Sequence, residues 1–375
     1  MPYFYDMERD GAWAAAKNIL AMRLDNIGDV IMAGPALRAL KETLPHARLT
    51  LMASPAGAGA AGLLLSIDNV FAWRVLWQDL WRLPFDPARE WGLVRRLEAG
   101  GFDGVVIFTS FSQSPFPAGL ACLLAHIPLR LGCSKETAPG AILTTAVPPL
   151  PDDVHQVERN LSLVEAVGFH VASRDLSIVT DRCSKAGAER LLSAAGHAPG
   201  EPYLLVNPFA SAQARTYPAA PLAAAASGLA RETGLQPVVT GTEAEAARAR
   251  AIVEAIGCGA ANLAGMTTVG ELAALVEGAA LLLTSNTSTM HLADACGTPA
   301  VVLYSGTELE SQWRPRTAPH RLLRRPTPCS PCYAFTCEKG LECLDIAPEE
   351  VVRAGLDLLS VSGRTADAPG LTARF

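Results

Sequence analysis

The chain has 375 residues, of which half are hydrophobic and only 18% are charged. This length exceeds what one hydrophobic core usually supports, so two domains are expected, and the low charge excludes a disordered protein. The formal net charge of −6 provides no general attraction to nucleic acid or to an anionic membrane. We therefore expect no nucleic-acid partner.

The first half of the chain alternates apolar runs with segments typical of helices. Three runs predict strands, namely NILAM (18–22), ARLTLMAS (47–54) and GVVIFTS (104–110). Two segments predict helices, one over about 31–43 and one at VERNLSLVEAVG (157–168). Strands that alternate with helices favour a parallel sheet covered by helices on both faces.

A second series of strands and helices begins near Tyr203. Its predicted strands, each followed by a loop and most by a helix, are YLLVNPF, PVVTGT, ANLAG, ALLLTS and AVVLYSG. This restart predicts two doubly wound domains, an N-terminal one over 1–180 and a C-terminal one over 202–361. The segment 181–201, whose end is rich in Gly, Pro and Ala, is predicted to be a linker region. Residues 362–375 are predicted to form a flexible tail.

Polar loops after strands are the first candidates for a site, because open parallel sheets bind ligands outside the carboxyl ends of their strands. In RLDNIGDV (23–30), Asp29 begins a helix and is either an N-terminal cap or a general base, with Asp25 as a second candidate base. Arg215 follows YLLVNPF and is either a surface residue or a phosphate ligand. Gly241 permits a tight turn after PVVT.

The stretch SNTSTMH (285–291) places hydroxyl and amide side chains between an apolar run and a helix. Backbone N–H groups at such a helix N-terminus suit a diphosphate, but the same residues also suit ordinary helix capping. The sequence contains neither G-x-x-x-x-G-K-[ST] nor G-x-G-x-x-G, so a P-loop NTPase or a standard dinucleotide enzyme is not supported. Nucleotide-sugar chemistry requires neither motif.

Four stretches between residues 18 and 352 together resemble a known family. They are NILAMRLDNIGDVIMAGPALRALKETLPHARLTLMAS, HQVERNLSLVEAVG, LAGMTTVGELAALVEGAALLLTSNTSTMHLADACGTPAVVLYSGT and CSPCYAFTCEKGLECLDIAPEEV. In this order they resemble glycosyltransferase family 9, which contains the ADP-heptose:lipopolysaccharide heptosyltransferases. The resemblance implies two Rossmann-like doubly wound parallel-sheet domains of the GT-B type, facing across a cleft.

The resemblance also implies the activity. It is the inverting, metal-independent transfer of a sugar, heptose from ADP-heptose, to a saccharide acceptor such as lipopolysaccharide core, with no cofactor required for transfer. The N-terminal half would bind the saccharide or lipid-linked acceptor, and the C-terminal half the nucleotide-sugar donor. Two alternatives stay open: a nucleotide-sugar epimerase of the same architecture, and a non-catalytic saccharide- or nucleotide-binding protein.

The resemblance implies roles for individual residues. Asp29 matches the catalytic carboxylate, and Arg23, Asn26 and Gly28 belong to its acceptor-side loop. The implied donor site comprises Arg215 at the diphosphate together with Gly241, Asn286, Thr287, Ser288, Thr289 and His291. Within its Asp-Thr-Gly-x-x-His motif, this chain has Asn286 in place of Asp and Ser288 in place of Gly. The amide removes a negative charge and adds hydrogen-bond donors.

Nine cysteines in a chain without a recognisable signal peptide suggest thiols or metal ligands more than disulfides. Four of them have the spacing C-x2-C-x4-C-x5-C, namely Cys329, Cys332, Cys337 and Cys343. Structural zinc, disulfides and free thiols are the alternatives for this cluster. Because the arginine-rich segment 314–325 precedes it, a small nucleic-acid-binding finger is a further alternative. The other five, Cys122, Cys133, Cys183, Cys258 and Cys296, are predicted to be core residues.

The apolar stretches fall short of the roughly 20 residues that span a bilayer. We therefore expect a cytoplasmic protein, with peripheral contact at the inner membrane face as a further expectation.

Overall fold

The computed structural model describes residues 7–79, 82–136 and 141–362. The chain divides into two compact units, Met1–Val179 and Thr180–Phe375. Each unit contains one parallel six-stranded sheet with flanking helices. The predicted fold class, α/β with two doubly wound parallel-sheet domains, is confirmed.

The sheet of the first unit is built around a buried central strand. Its strands are β1 (Asn18–Arg23), β2 (Arg48–Ala53), β3 (Asn69–Ala72), β4 (Gly104–Ile107), β5 (Leu129–Cys133) and β6 (Thr145–Val147). Their order is β3-β2-β1-β4-β5-β6, and all neighbouring pairs are parallel. β1 is apolar on both sides because helices cover both faces of a parallel sheet. The order reverses between β1 and β4, which makes this the switch point where such sheets bind ligands.

Within the part of the chain that the structure describes, six helices accompany this sheet. They are α1 (Met7–Ala14), α2 (Ile27–Thr43), α3 (Pro55–Ala58), α4 (Pro87–Ala99), α5 (Phe116–Leu124) and α6 (Gln156–Glu165). α2 begins four residues before the predicted start at about 31. The reason is a capping box, in which the side chain of Asp29 accepts the N–H of Asn26 and stabilises the first turn.

The second unit repeats the same strand order. Its strands are β7 (Tyr203–Asn207), β8 (Gln236–Val239), β9 (Ala261–Asn262), β10 (Leu281–Ser285), β11 (Ala300–Leu303) and β12 (His320–Leu323). They are arranged β12-β11-β10-β7-β8-β9, again with parallel neighbours. The switch point lies between β7 and β10, so the loops after these strands are the expected ligand loops of this unit.

The helices of the second unit are α7 (Arg182–Ala194), α8 (Ala219–Thr233), α9 (Ala246–Ile256), α10 (Val269–Gly278), α11 (Ser288–Cys296), α12 (Glu310–Trp313) and α13 (Pro348–Ser362). α7 lies inside the segment 181–201, which we expected to be a linker. Asp181 caps this helix by accepting the N–H of Ser184. A Cβ at Gly187 would overlap Glu271 of α10, so the Gly- and Ala-rich composition serves close helix packing there. The predicted tail, apart from Ser362, lies outside the described residues.

Within the described ranges, no helix is long and apolar enough to cross a membrane.

Candidate active site

The loop after β1 places Asp29 in the first turn of α2. Its Oδ2 accepts the N–H of Asn26 at 3.1 Å, and its Oδ1 accepts a hydrogen bond from Arg23 Nη2 at 2.8 Å. A carboxylate has about four lone-pair sites, so each oxygen can still accept another hydrogen. The side chain is 17% exposed. Asp29 is therefore both the cap that the sequence suggested and an accessible, oriented carboxylate.

Arg23 is the buried cation that orients this carboxylate. Its side chain has no exposed surface, and besides Asp29 its Nη2 also donates to Ser110 Oγ at 2.8 Å, while its Nε lies 3.2 Å from Asp25 Oδ2. Burial lowers the pKa of the Arg23 guanidinium, but the charges of Asp25 and Asp29 outweigh this effect and the pKa is raised. Arg23 therefore stays charged.

Asp25, the second candidate base, has a different environment. Its Oδ1 accepts a hydrogen bond from Gln113 Nε2 at 2.6 Å, and its Oδ2 faces Arg23. Burial raises the pKa of the Asp25 carboxyl, although the charge of Arg23 lowers it in part. Asp25 links the β1–α2 loop to the β4–α5 loop, so its contacts favour a positioning role over proton transfer from a substrate.

A cavity of about 250 Å³ opens beside this cluster, at the carboxyl ends of β4, β5 and β6. Ser110 and Gln113, which contact Arg23 and Asp25, also line the cavity. Three more hydroxyl groups and two aromatic rings line the cavity. They belong to Ser112, Ser114, Ser134, Phe111 and Phe116. Hydroxyl, amide and aromatic groups are suited to binding a sugar ring.

In the second unit, three loops converge at the switch point. Arg215 follows β7, Asn286 follows β10, and Glu308 follows β11. Arg215 Nη1 lies 3.4 and 3.5 Å from the two carboxylate oxygens of Glu308, and Asn286 Nδ2 donates to Glu308 Oε2 at 3.3 Å. The structure thus brings Arg215 and Asn286 together around a carboxylate that the sequence did not single out.

The N-terminus of α11 adjoins Asn286. Thr287 precedes the helix in extended conformation, and its side chain forms no capping hydrogen bond with the described residues. Thr289 is buried and its hydroxyl contacts that of Thr284 at 2.7 Å, while His291 is buried in the first helical turn. Thr287 and Ser288 are half-buried. The first N–H groups of α11 are therefore placed as an anion site would need.

Gly241 follows β8 and has a packing reason to be glycine. A Cβ there would lie 2.9 and 3.0 Å from ring atoms of Phe209. The acids that follow it form a helix start, because Glu245 completes a capping box with Thr242. Gly241 thus allows the β8 loop to approach the β7 loop.

The four clustered cysteines line one small cavity in the second unit, beside Gly306 and Thr307. The described residues contain no group of three or more His, Cys, Asp or Glu side chains arranged to hold a metal ion. All nine cysteines lie in the described ranges and are free thiols. Structural zinc at this cluster stays a prediction. Residues 320–323 of the arginine-rich segment before the cysteines form β12 of the sheet of the second unit.

The prediction that the other five cysteines are core residues holds for Cys122 alone. Cys133 and Cys296 are half-buried, and Cys183 and Cys258 are exposed. Cys183 lies near the start of α7 and Cys258 lies in the turn after α9. The Ala- and Gly-rich sequences around them have the composition of core segments but lie at the surface.

Three residues of the two sites were missed by sequence reasoning, namely Ser110, Gln113 and Glu308. Each follows a strand of the sheet, so the rule that directed attention to the other loops applies to them as well. Their neighbours in space are determined by the strand order, which places β4 beside β1 and β11 beside β10.

Two doubly wound sheets, each with polar and charged loops at its switch point, define a two-domain α/β protein of the doubly wound class. The family model described as glycosyltransferase family 9 (heptosyltransferase) matches residues 91–341. The chain belongs to this family and is a glycosyltransferase. Asp29 lies before the matched range. No curated protein matches the chain.

Solved structures share the fold. The glycosyl transferase family 9 protein from Veillonella parvula DSM 2008 has 20% identity and a TM-score of 0.76, over 92% of this chain and 98% of that one. The E. coli ADP-heptose lps heptosyltransferase II has 20% identity and a TM-score of 0.72, over 92% and 99%. E. coli heptosyltransferase WaaC with ADP-2-deoxy-2-fluoro heptose has 17% identity and a TM-score of 0.64, over 82% and 93%.

Proposed function

We propose that this glycosyltransferase moves a heptose from ADP-heptose to a saccharide acceptor such as lipopolysaccharide core, with inversion and without a catalytic metal. The observation that carries the proposal is the accessible Asp29 carboxylate, oriented by Arg23 and Asn26. Arg23 also contacts Ser110, which lines a cavity suited to a sugar. The choice of donor is supported by the similar E. coli proteins, one described as an ADP-heptose lps heptosyltransferase and one bound to an ADP-heptose analogue.

The chemistry begins with the acceptor. A sugar ring in the cavity presents a hydroxyl to Asp29, which accepts its proton as the oxygen attacks the anomeric carbon. The bond from that carbon to the diphosphate oxygen breaks as the new bond forms on the opposite face, so the configuration inverts. The second unit stabilises the leaving diphosphate through Arg215 and the N–H groups at the start of α11. These protein groups supply the positive charge that the leaving group requires.

Release of ADP from ADP-heptose tests the proposal. Wild-type protein should release ADP only when a heptose-deficient lipopolysaccharide core acceptor is present, and the same turnover should persist in EDTA. Asp29→Asn should reduce turnover about 10²- to 10⁴-fold, as expected for loss of a general base, with an unchanged Kd for ADP-heptose. NMR of the product should show an inverted anomeric centre.

Three results would contradict the proposal. ADP release without acceptor would favour hydrolysis or epimerase-type chemistry. Full turnover of Asp29→Asn would remove Asp29 from the reaction. Binding of ADP-heptose with no turnover on any saccharide acceptor would favour a binding role.

A further inference from the structure

Glu308 contacts two residues that the proposed function assigns to the donor. Its carboxylate lies 3.4 and 3.5 Å from Arg215 Nη1 and accepts a hydrogen bond from Asn286 at 3.3 Å. The side chains of Arg215 and Glu308 are both about one-fifth exposed, at 21% each. The site therefore contains a carboxylate directly beside the cation that would bind an anionic diphosphate.

The position of Glu308 is held by the loop that carries it. Asn286 is buried, and its Oδ1 accepts the N–H of Ser305 at 3.1 Å. The Ser305 hydroxyl in turn contacts the hydroxyl of Thr307 at 2.8 Å, and both of these residues are buried. Because Asn286 binds both the start of this loop and Glu308 itself, the carboxylate stays close to Arg215.

The contact between Arg215 and Glu308 leaves room for a second anion. At 3.4–3.5 Å it is longer than the usual 2.7–3.2 Å of such bonds. It uses Nη1, whereas a guanidinium has five N–H donors in a planar fork. A diphosphate can thus bind the Nη2 and Nε edge while Glu308 keeps Nη1, and the two anions share one cation.

We propose that Glu308 is a specificity-determining residue that disfavours the free nucleoside diphosphate relative to the sugar-bearing donor. The inference rests on the proposed function, in which Arg215 binds the donor diphosphate. A free nucleoside diphosphate carries about one more negative charge than its sugar ester at neutral pH, because its terminal phosphate ionises a second time. Glu308 repels this extra charge, so the product leaves the site more readily than the donor.

The size of the effect follows from Coulomb's law. A phosphate on the far edge of Arg215 lies roughly 7 Å from the Glu308 carboxylate, and with an effective dielectric constant between about 20 and 80 one added charge weakens binding about tenfold. Glu308→Gln removes this repulsion while the new amide can still contact Asn286. It should therefore lower the Kd for ADP about tenfold more than it lowers the Kd for ADP-heptose, because the repulsion of the charges that the two ligands share is relieved alike in both.

Isothermal titration calorimetry without acceptor measures the ratio of these two Kd values. Glu308→Asp keeps the charge and should keep the wild-type ratio, and Glu308→Ala should behave like Glu308→Gln. Glu310→Gln is the matched control, because it removes a negative charge from the following helix where Glu310 contacts Arg324 at 3.1 Å. It should leave the ratio unchanged.

The outcomes separate this inference from the proposed function. An unchanged ratio in both Glu308→Gln and Glu308→Ala, or an equal change in Glu310→Gln, overturns the role of Glu308 and leaves the proposed donor standing. Wild-type protein that binds neither ADP-heptose nor ADP overturns the proposed donor, and this inference with it.

Discussion

Replacing Arg23 with methionine tests whether the carboxylates around it depend on its charge. Methionine retains an apolar stem but removes the guanidinium that contacts Asp25 and Asp29. Burial already raises the pKa of the Asp25 carboxyl even with Arg23 present. Without Arg23, we expect Asp25 to bind a proton rather than remain ionised in an apolar environment.

Protonation of Asp25 limits how much stability the loss of its contact with Arg23 can cost. At 1.36 kcal/mol per pH unit, protonating a carboxyl with an ordinary pKa of about 3.9 costs about 4.2 kcal/mol at pH 7 and about 1.5 kcal/mol at pH 5. Breaking a buried ion pair usually costs about 3–5 kcal/mol. Arg23→Met should therefore lower the free energy of unfolding by about 3–4 kcal/mol at pH 7 and by about 1–1.5 kcal/mol at pH 5.

The sign of this pH dependence follows from proton binding. The native variant holds a proton on Asp25 that the unfolded chain releases above about pH 4, so its stability falls as the pH rises from 5 to 7. Urea denaturation followed by tryptophan fluorescence measures this, because five of the six tryptophans lie in the unit Met1–Val179.

Arg130→Met is the matched control. The Arg130 guanidinium is buried and donates to the backbone carbonyl oxygens of Ala141 and Ile142, both at 2.7 Å, which do not titrate. Its loss of stability should be the same at pH 5 and pH 7. The double variant Arg23→Met, Asp25→Asn should recover most of the loss at pH 7. An equal loss for Arg23→Met at both pH values would refute the reasoning.

Two further predictions concern a thiol and a glycine. Burial raises the pKa of the Cys122 thiol to about 12. Iodoacetamide at pH 8 should therefore modify exposed Cys183 and leave Cys122 unmodified, which peptide mass spectrometry measures. Early labelling of Cys122 would contradict its burial. Gly241→Ala places a Cβ 2.9 Å from the Phe209 ring and should cost about 1–3 kcal/mol in chemical denaturation. Gly92→Ala in α4, where a Cβ meets nothing within 4 Å, should instead stabilise by about 0.5–1 kcal/mol.

The sequence predicted β1, β2, β4 and the five strands from β7 to β11, and it missed β3, β5, β6 and β12. β1, β7 and β10 are continuous apolar runs because helices cover both faces. β3 and β6 are edge strands of four and three residues with exposed positions, so no apolar run marks them. Edge strands owe their conformation to pairing with a neighbour, and that pairing depends on contacts distant in sequence.

The same limit applies to the sites. Asp29, Arg215 and Asn286 could be identified because each follows a strongly predicted strand. Ser110 and Glu308 also follow strands, but their importance comes from lying beside Arg23 and Arg215. Those contacts join residues 87 and 93 positions apart, and the strand order alone brings them together. A pattern confined to one loop does not contain this information.

The presence of Asn286 in place of the family's Asp is explained by the neighbouring Glu308. An aspartate in this place would set a second carboxylate against Glu308, where the amide nitrogen of Asn286 now lies 3.3 Å from Glu308 Oε2. Two such charges about 3.5 Å apart repel by about 5 kcal/mol at an effective dielectric constant of about 20. Asn286 replaces that repulsion with a hydrogen bond, so the carboxylate absent from position 286 is present in the site at Glu308.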